Sequence, residues 1–171
     1  MSEFNSNAIA VINSKEVANI YRQEFEQMFS GRFHNTKLKT VNNKVLLGDT
    51  ELSIYFSPQD KTTINALLPL INNAKQYIYI PTFLITDKNI ANALISAHNR
   101  GVDIKIITDA LNASVKHSKH GLLRKNGLLV KAENYAGKMH SKSMIIDDMY
   151  TIIGSMNFVN ISIILSNWLS I

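Results

Sequence analysis

Cysteine is absent from the 171 residues, which excludes disulfides and thiolate metal sites and leaves the redox compartment unread. The opening MSEFNSNAIA has no basic stretch leading into an apolar one, so no signal peptide is read there and the expected location is cytoplasmic. Charge is missing altogether from Met149 to Ile171. The apolar run that closes this stretch, Ile161–Ile171, is too short to span a bilayer, so core packing or subunit contact is expected of it rather than membrane attachment. Charged residues make up 18% of the chain and apolar ones 46%, the balance of a soluble globular protein. The length suits one domain with a substantial core.

The charge that is present is lopsided. A net charge of +5 and a pI near 9.4 point to a polyanion or an anionic surface as partner. Between Asn112 and Lys142 lie Lys116, Lys119, Arg124, Lys125, Lys131, Lys138 and Lys142, against the single acid Glu133. Lys116 and Lys119 share a loop with His117 and His120 and, with Lys138, are candidate contacts to a nucleic-acid backbone. Lys125 and Lys131 fit a solvated surface equally well.

This basic segment runs into HSKSMIIDDMYTIIGSMN, in which His140, Lys142, Asp147, Gly154, Ser155 and Asn157 form H-x-K-x4-D-x6-G-S-x-N. Six such positions meet by chance on the order of once in 10⁸ windows at average residue usage. Residues between His140 and Asp147 alternate as a strand with one buried face would, which puts His140 and Lys142 on the same side as nucleophile and cation. Gly154 permits a tight turn, and Ser155 and Asn157 add polar groups for anionic oxygens.

The pattern resembles the HKD signature of the phospholipase D superfamily, whose members cleave or transfer phosphodiesters. The resemblance implies a two-step reaction without metal or cofactor. His140 attacks phosphorus to form a phosphohistidine, which water hydrolyses. Lys142 and Asn157 hold the phosphate oxygens, and Asp147 supports a histidine. Such a mechanism uses two histidines, one as nucleophile and one as acid, normally from two motif copies. Here His34, His98, His117 and His120 have no lysine two residues on, so the chain carries one copy. The smallest bacterial endonucleases of the family complete the site by homodimerising across a two-fold axis, and the same is expected here.

Elsewhere strands and helices alternate. Leu52–Ser57 reads as a strand ending at Pro58, Thr62–Ala74 as a helix in which Pro69 is awkward, and Tyr77–Ile80 as a strand stopped by Pro81. Asp87 caps a helix carrying Ile90, Ala91, Leu94, Ile95 and Ala97, which stops at Gly101. Val102–Thr108 is a strand, Ser118–Lys125 a helix ending at Gly127, and Leu128–Lys131 a strand. His98 belongs to a helix surface, Asp109 to a cap or loop, and Asp148 to the turn after the motif strand. The expected class is α/β, with a mainly parallel or mixed sheet flanked by helices. YFSP, RGVDIKIITDA and GKMHSKSMIID extend the resemblance to the phospholipase D catalytic half over about residues 52–157.

The whole chain, 1–171, is expected to form one such domain. Residues 7–29 read as a strand, Asn7–Asn13, and a helix, Ser14–Phe29, with Ser14 as cap and an apolar stripe of Val17, Ile20, Tyr21, Phe25, Met28 and Phe29. This pair resembles the segment that family members carry after a motif copy, and residues 158–171 form an atypical tail. Three arrangements fit: the second half of a two-motif enzyme, a permuted single-motif protein, or a chain with an altered tail. Family endonucleases also have an acid after the motif that contacts a catalytic histidine, and neither the tail nor Asn7–Asn13 supplies one. Three functions follow: a nuclease, a phospholipid hydrolase or transferase, or a silent half-domain that binds polyanions or a partner chain.

Overall fold

The computed structural model describes residues 5–133 and 137–158. They fall into two compact units, one formed by Ala10–Leu67 and the other by Met1–Ile9 with Leu68–Ile171. The expectations for the tail after Phe158 lie outside the described residues. Among those residues, no helix is long and apolar enough to cross a membrane.

The smaller unit is built on helix α1, Lys15–Phe29, which starts where Ser14 Oγ accepts from the Val17 N–H and Glu16 sits in the positive first turn. Val17 and Ile20 pack with Val45 and Ile54, backed by Leu47, Leu52 and Phe56. Val45 comes from β2, Lys44–Leu47, which pairs antiparallel with β3, Thr50–Ser53. Two buried acids tie the loops: Glu24 takes Lys37 and Gln59, and Asp60 takes the N–H groups of Thr40 and Phe56. The strand expected at Leu52–Ser57 stops at Ser53, because the backbone of Phe56 is drawn to Asp60 instead of a ladder partner. Half of the apolar stripe faces water, with Tyr21, Phe25 and Phe29 exposed.

The larger unit centres on a five-stranded mixed sheet. Strand β4, Tyr77–Thr82, lies at its middle, with β5, Asp103–Asp109, and then β6, Leu129–Glu133, parallel on one side. On the other side β8, Ser143–Ile146, runs antiparallel to β4 and makes a hairpin with β9, Tyr150–Ile153. Alternation on β4 and β5 sends Ile78, Ile80, Ile104 and Ile106 into one buried face. That core is completed by Ile71 of α2, Leu68–Asn73; by Ile90, Ala91, Leu94 and Ala97 of α3, Lys88–Asn99; and by Leu123 of α5, His120–Lys125. Asp87 caps α3 through the N–H groups of Asn89 and Ile90, as expected, and Gly101 takes the left-handed φ of +94° just past its end. The short α4, Ala110–Ala113, follows β5 directly.

Two local expectations change. Pro81 does not stop β4: it pairs with Ile107 inside the strand. On the β8 side the ladder covers only Ile78 and Tyr79, so the N–H that proline lacks has no waiting acceptor there. The strand at Asn7–Asn13 is absent. Instead β1 is Asn5–Ser6, parallel to β7, Lys138–Met139, while residues 7–13 are exposed and irregular.

Ile78 has no exposed surface at the middle of the sheet. Truncation to alanine leaves a cavity between β4 and the helices, and Ile78→Ala is expected to lower stability by about 2–5 kcal/mol in urea titration. A loss below about 1 kcal/mol would contradict this packing.

Candidate active site

The motif does not form one continuous strand. Residues 140–142 bridge β7 and β8, pinned from three directions at the carboxyl end of β4. Lys142 makes an antiparallel bridge to Thr82, the Phe83 N–H donates to Ser141 O at 3.0 Å, and the Gly154 N–H donates to Lys142 O at 3.1 Å. The His140 N–H donates to Ser6 O at 3.0 Å, so β1 anchors the segment from the far side. Instead of the expected alternation, Ser141, Lys142, Ser143 and Met144 are all buried, since neighbours cover both faces.

His140 and Lys142 do come together, around one aromatic ring. Phe83 meets the His140 imidazole edge to face at 5.0 Å, and the Lys142 ammonium stands over the same ring, also at 5.0 Å. Lys142 is 6% exposed, donates to His140 O at 2.6 Å, and has no carboxylate partner among the described residues. Burial pulls its pKa down. The His140 pKa is lowered by burial first and then by Lys142 and Lys138, with Asp109 pulling the other way. The site thus favours a neutral imidazole beside a cation, which is the state a nucleophile needs. His140 Nδ1 lies 3.1 Å from Asn7 Oδ1.

Ser155 and Asn157 lie on a segment tied at both ends to this edge. Gly154 binds Lys142, and Phe158 bridges Ile85, its carbonyl accepting from Thr86 and Asp87. Ser155 is exposed and Asn157 half-buried. Gly154 is not needed for a left-handed turn; the residues at positive φ are Asp147 and Asp148, at 55° and 54°, in the β8–β9 hairpin. Among the described residues, the Asn157 Oδ1 and Thr82 Oγ1 atoms are buried and find no hydrogen-bond partner.

Asp147 corrects the reading of the motif. Its carboxylate accepts from the N–H groups of Lys75, Gln76 and Tyr77 at 2.7, 2.8 and 2.9 Å, at the start of β4. His140 and Lys142 sit at the other end, about 16 Å away at roughly 3.3 Å per strand residue. Asp147 therefore supports the backbone of β4 and not a histidine.

Of the candidate contact lysines, Lys138 lies close enough to act on His140. The Lys119 N–H donates to Ile85 O beside the end of β4, and Lys116 is exposed in the same loop. His120 is not part of a basic loop surface: it is 1% exposed, and its Nδ1 is 2.6 Å from Ser118 Oγ. Residues that the sequence did not single out complete the surroundings. Phe83 was findable as the residue just beyond a parallel strand, where sites in open α/β sheets gather. Asp109, which the sequence did mark for a cap or loop, caps α4 through Asn112 and also acts on His140. Asn7 carried no signal, since its contact spans most of the chain.

The family described as cardiolipin synthase, PLD-like domain, matches residues 67–168, more than half of the chain and inclusive of the entire motif. The chain belongs to the phospholipase D superfamily of phosphodiester hydrolases. It is 34% identical over 112 residues to a phospholipase D of Rickettsia bellii, covering 66% of this chain and 55% of that protein. Against the mitochondrial cardiolipin hydrolase of Mus musculus it is 31% identical over 101 residues, covering 59% and 46%. The chain thus spans about half the length of the curated relatives it matches. Among solved structures, Nuc of Salmonella typhimurium, a phospholipase D family member, aligns with a TM-score of 0.53 at 28% identity, covering 61% of this chain and 69% of that one. NucT from Helicobacter pylori aligns with a TM-score of 0.51 at 30% identity, covering 57% and 68%.

Burial raises the Asp147 pKa, but three N–H donors together outweigh it and hold the carboxyl below its usual value. A depressed carboxylate stabilises the fold above the unfolded pKa of about 3.9 and loses that contribution as pH falls through the folded value. Asp147→Asn should therefore melt earlier than the wild type at pH 7, with the gap narrowing as pH falls below the unfolded-state pKa. A gap independent of pH, measured by thermal melts, would show that charge has no part in the clamp.

Proposed function

We propose that this chain is a phosphodiesterase acting on nucleic acid through a phosphohistidine at His140, in a homodimer that shares one site. The observation that carries this reading is the Lys142 ammonium: buried, without a carboxylate partner among the described residues, and set against the same ring as His140. A buried cation lacking a counter-ion is costly unless an anion arrives, and a phosphodiester supplies one.

The steps balance with the groups at hand. Neutral His140 attacks phosphorus, forming a P–N bond as the P–O bond to the leaving oxygen breaks. That oxygen takes a proton from His140 of the partner subunit, held as imidazolium. Water then attacks, gives its proton back to that imidazole, and the P–N bond breaks. Lys142 stabilises charge gathering on the phosphoryl oxygens, helped by Asn157 and Ser155. The 171 residues offer one such histidine, and in this reading a second copy supplies the acid.

Nucleic acid is favoured as substrate by the net charge of +5 and by the concentration of Lys116, Lys119 and Lys138 about the motif segment. The names of the aligned structures, Nuc and NucT, accord with this. A phospholipid substrate is the second reading, favoured by the cardiolipin hydrolase and phospholipase D names of the curated relatives.

Trapping with a phosphodiester should label His140 with an acid-labile adduct, and His140→Asn should abolish label and turnover. Lys142→Ala should cost roughly 10²-fold or more in rate. Salt-sensitive polyanion binding with no adduct would mark a silent binding domain instead. Cleavage of phospholipid vesicles but not of DNA or RNA would move the substrate to lipid.

Activity is expected to survive EDTA, because imidazole and ammonium groups fill each role in these steps. Sedimentation should show a dimer at assay concentration. A fully active monomer, or loss restored by magnesium, would overturn the corresponding part of the reading.

A further inference from the structure

The structure puts a side-chain amide against the His140 ring. Asn7 Oδ1 faces His140 Nδ1 at 3.1 Å, while Asn7 Nδ2 donates to Asn5 O at 3.3 Å. The second contact settles which way the amide points, because only the NH₂ end can donate to a carbonyl. An amide oxygen only accepts, so the proton between Asn7 and His140 belongs to Nδ1. The lone pair of the neutral ring is then on Nε2. The rest of His140 is equally constrained: its N–H is held by Ser6 O, its carbonyl by Lys142 Nζ, and its ring by the Phe83 edge.

We propose that Asn7 is a positioning residue that selects the tautomer of His140 with Nε2 free to attack phosphorus; its catalytic consequence rests on the function proposed above. An amide differs from a carboxylate in one respect. Both accept from Nδ1–H, but only a carboxylate adds negative charge that stabilises the imidazolium. Among the described residues, the charged groups that act on the ring are Lys142 on its own segment, Lys138 on β7 and Asp109 at the end of β5. With a neutral partner at Nδ1, two cations outnumber one acid, and the device serves the nucleophile rather than the proton donor.

The test uses the full chain with ¹⁵N-labelled histidine, read by long-range ¹H–¹⁵N correlation. The His140 resonances are assigned by their absence from His140→Asn. Above the titration range the wild type should show a protonated Nδ1 and a bare Nε2. Asn7→Ala should lose this single form and relax to a mixture of tautomers, with a fall in kcat of about tenfold or more as the lone pair is misplaced. Asn7→Asp should keep the single tautomer and raise the His140 midpoint, shifting the acid limb of the rate profile the same way. A bare Nδ1 in the wild type, or an unchanged tautomer in Asn7→Ala, would overturn the proposal, as would a lowered midpoint in Asn7→Asp. The nitrogen shifts need no turnover. If the wild type forms no phosphohistidine, the reaction reading fails while the tautomer result stands on its own.

Discussion

The clamp of Asp147 on the first N–H groups of β4 is the interaction on which the rest of the larger unit depends. It fixes where β8 ends against the start of β4, and the pairs Ile78 with Ile146 and Tyr79 with Ile145 follow. Continued in the same register, the pairing brings Lys142 opposite Thr82, as the bridge there records. Tyr77 and Thr82 are five positions apart, with four residues between them, and so are Lys142 and Asp147. The x4 spacing of the motif is therefore the length of β4 between its clamp and its functional end. A slip of one residue would turn Lys142 to the other face and lose the site.

At the functional end, geometry and electrostatics agree. Residues 140–142 leave the ladder between β7 and β8, which lets His140 face solvent while Lys142 stays buried two residues on. Phe83 lies against both groups, and the charge of Lys142 beside it acts on His140. The same arrangement disfavours a protonated His140. In the shared site proposed above, this would weight each imidazole toward attack.

Much of the larger unit was legible before the structure. Asp87, Gly101 and the apolar spacing between them mark α3, and the β-branched runs at Tyr77 and Val102 mark the two central strands. These signals are local, because caps and periodicity act within a few residues. Pro81 misled for a reason that is not local. Whether a missing N–H matters depends on which neighbour stands beside it, and β8 has ended its pairing by that point. The apolar stripe of α1 was read correctly as a stripe, yet only Val17 and Ile20 of it find a core.

By itself the sequence determined the chemistry on offer: an imidazole, an ammonium and their spacing, a basic segment around them, and no thiols. Those are properties of residue type and order. Tertiary structure decided what each residue does. Asp147 became a backbone clamp because the hairpin carries it to the start of β4, and Asn7 reached His140 because β1 lies beside β7. Contacts between residues 7 and 140, or 77 and 147, join positions whose intervening chain leaves no trace of the meeting in composition or period. Such pairings exist only once the strands have taken their order, and the roles follow from the pairings.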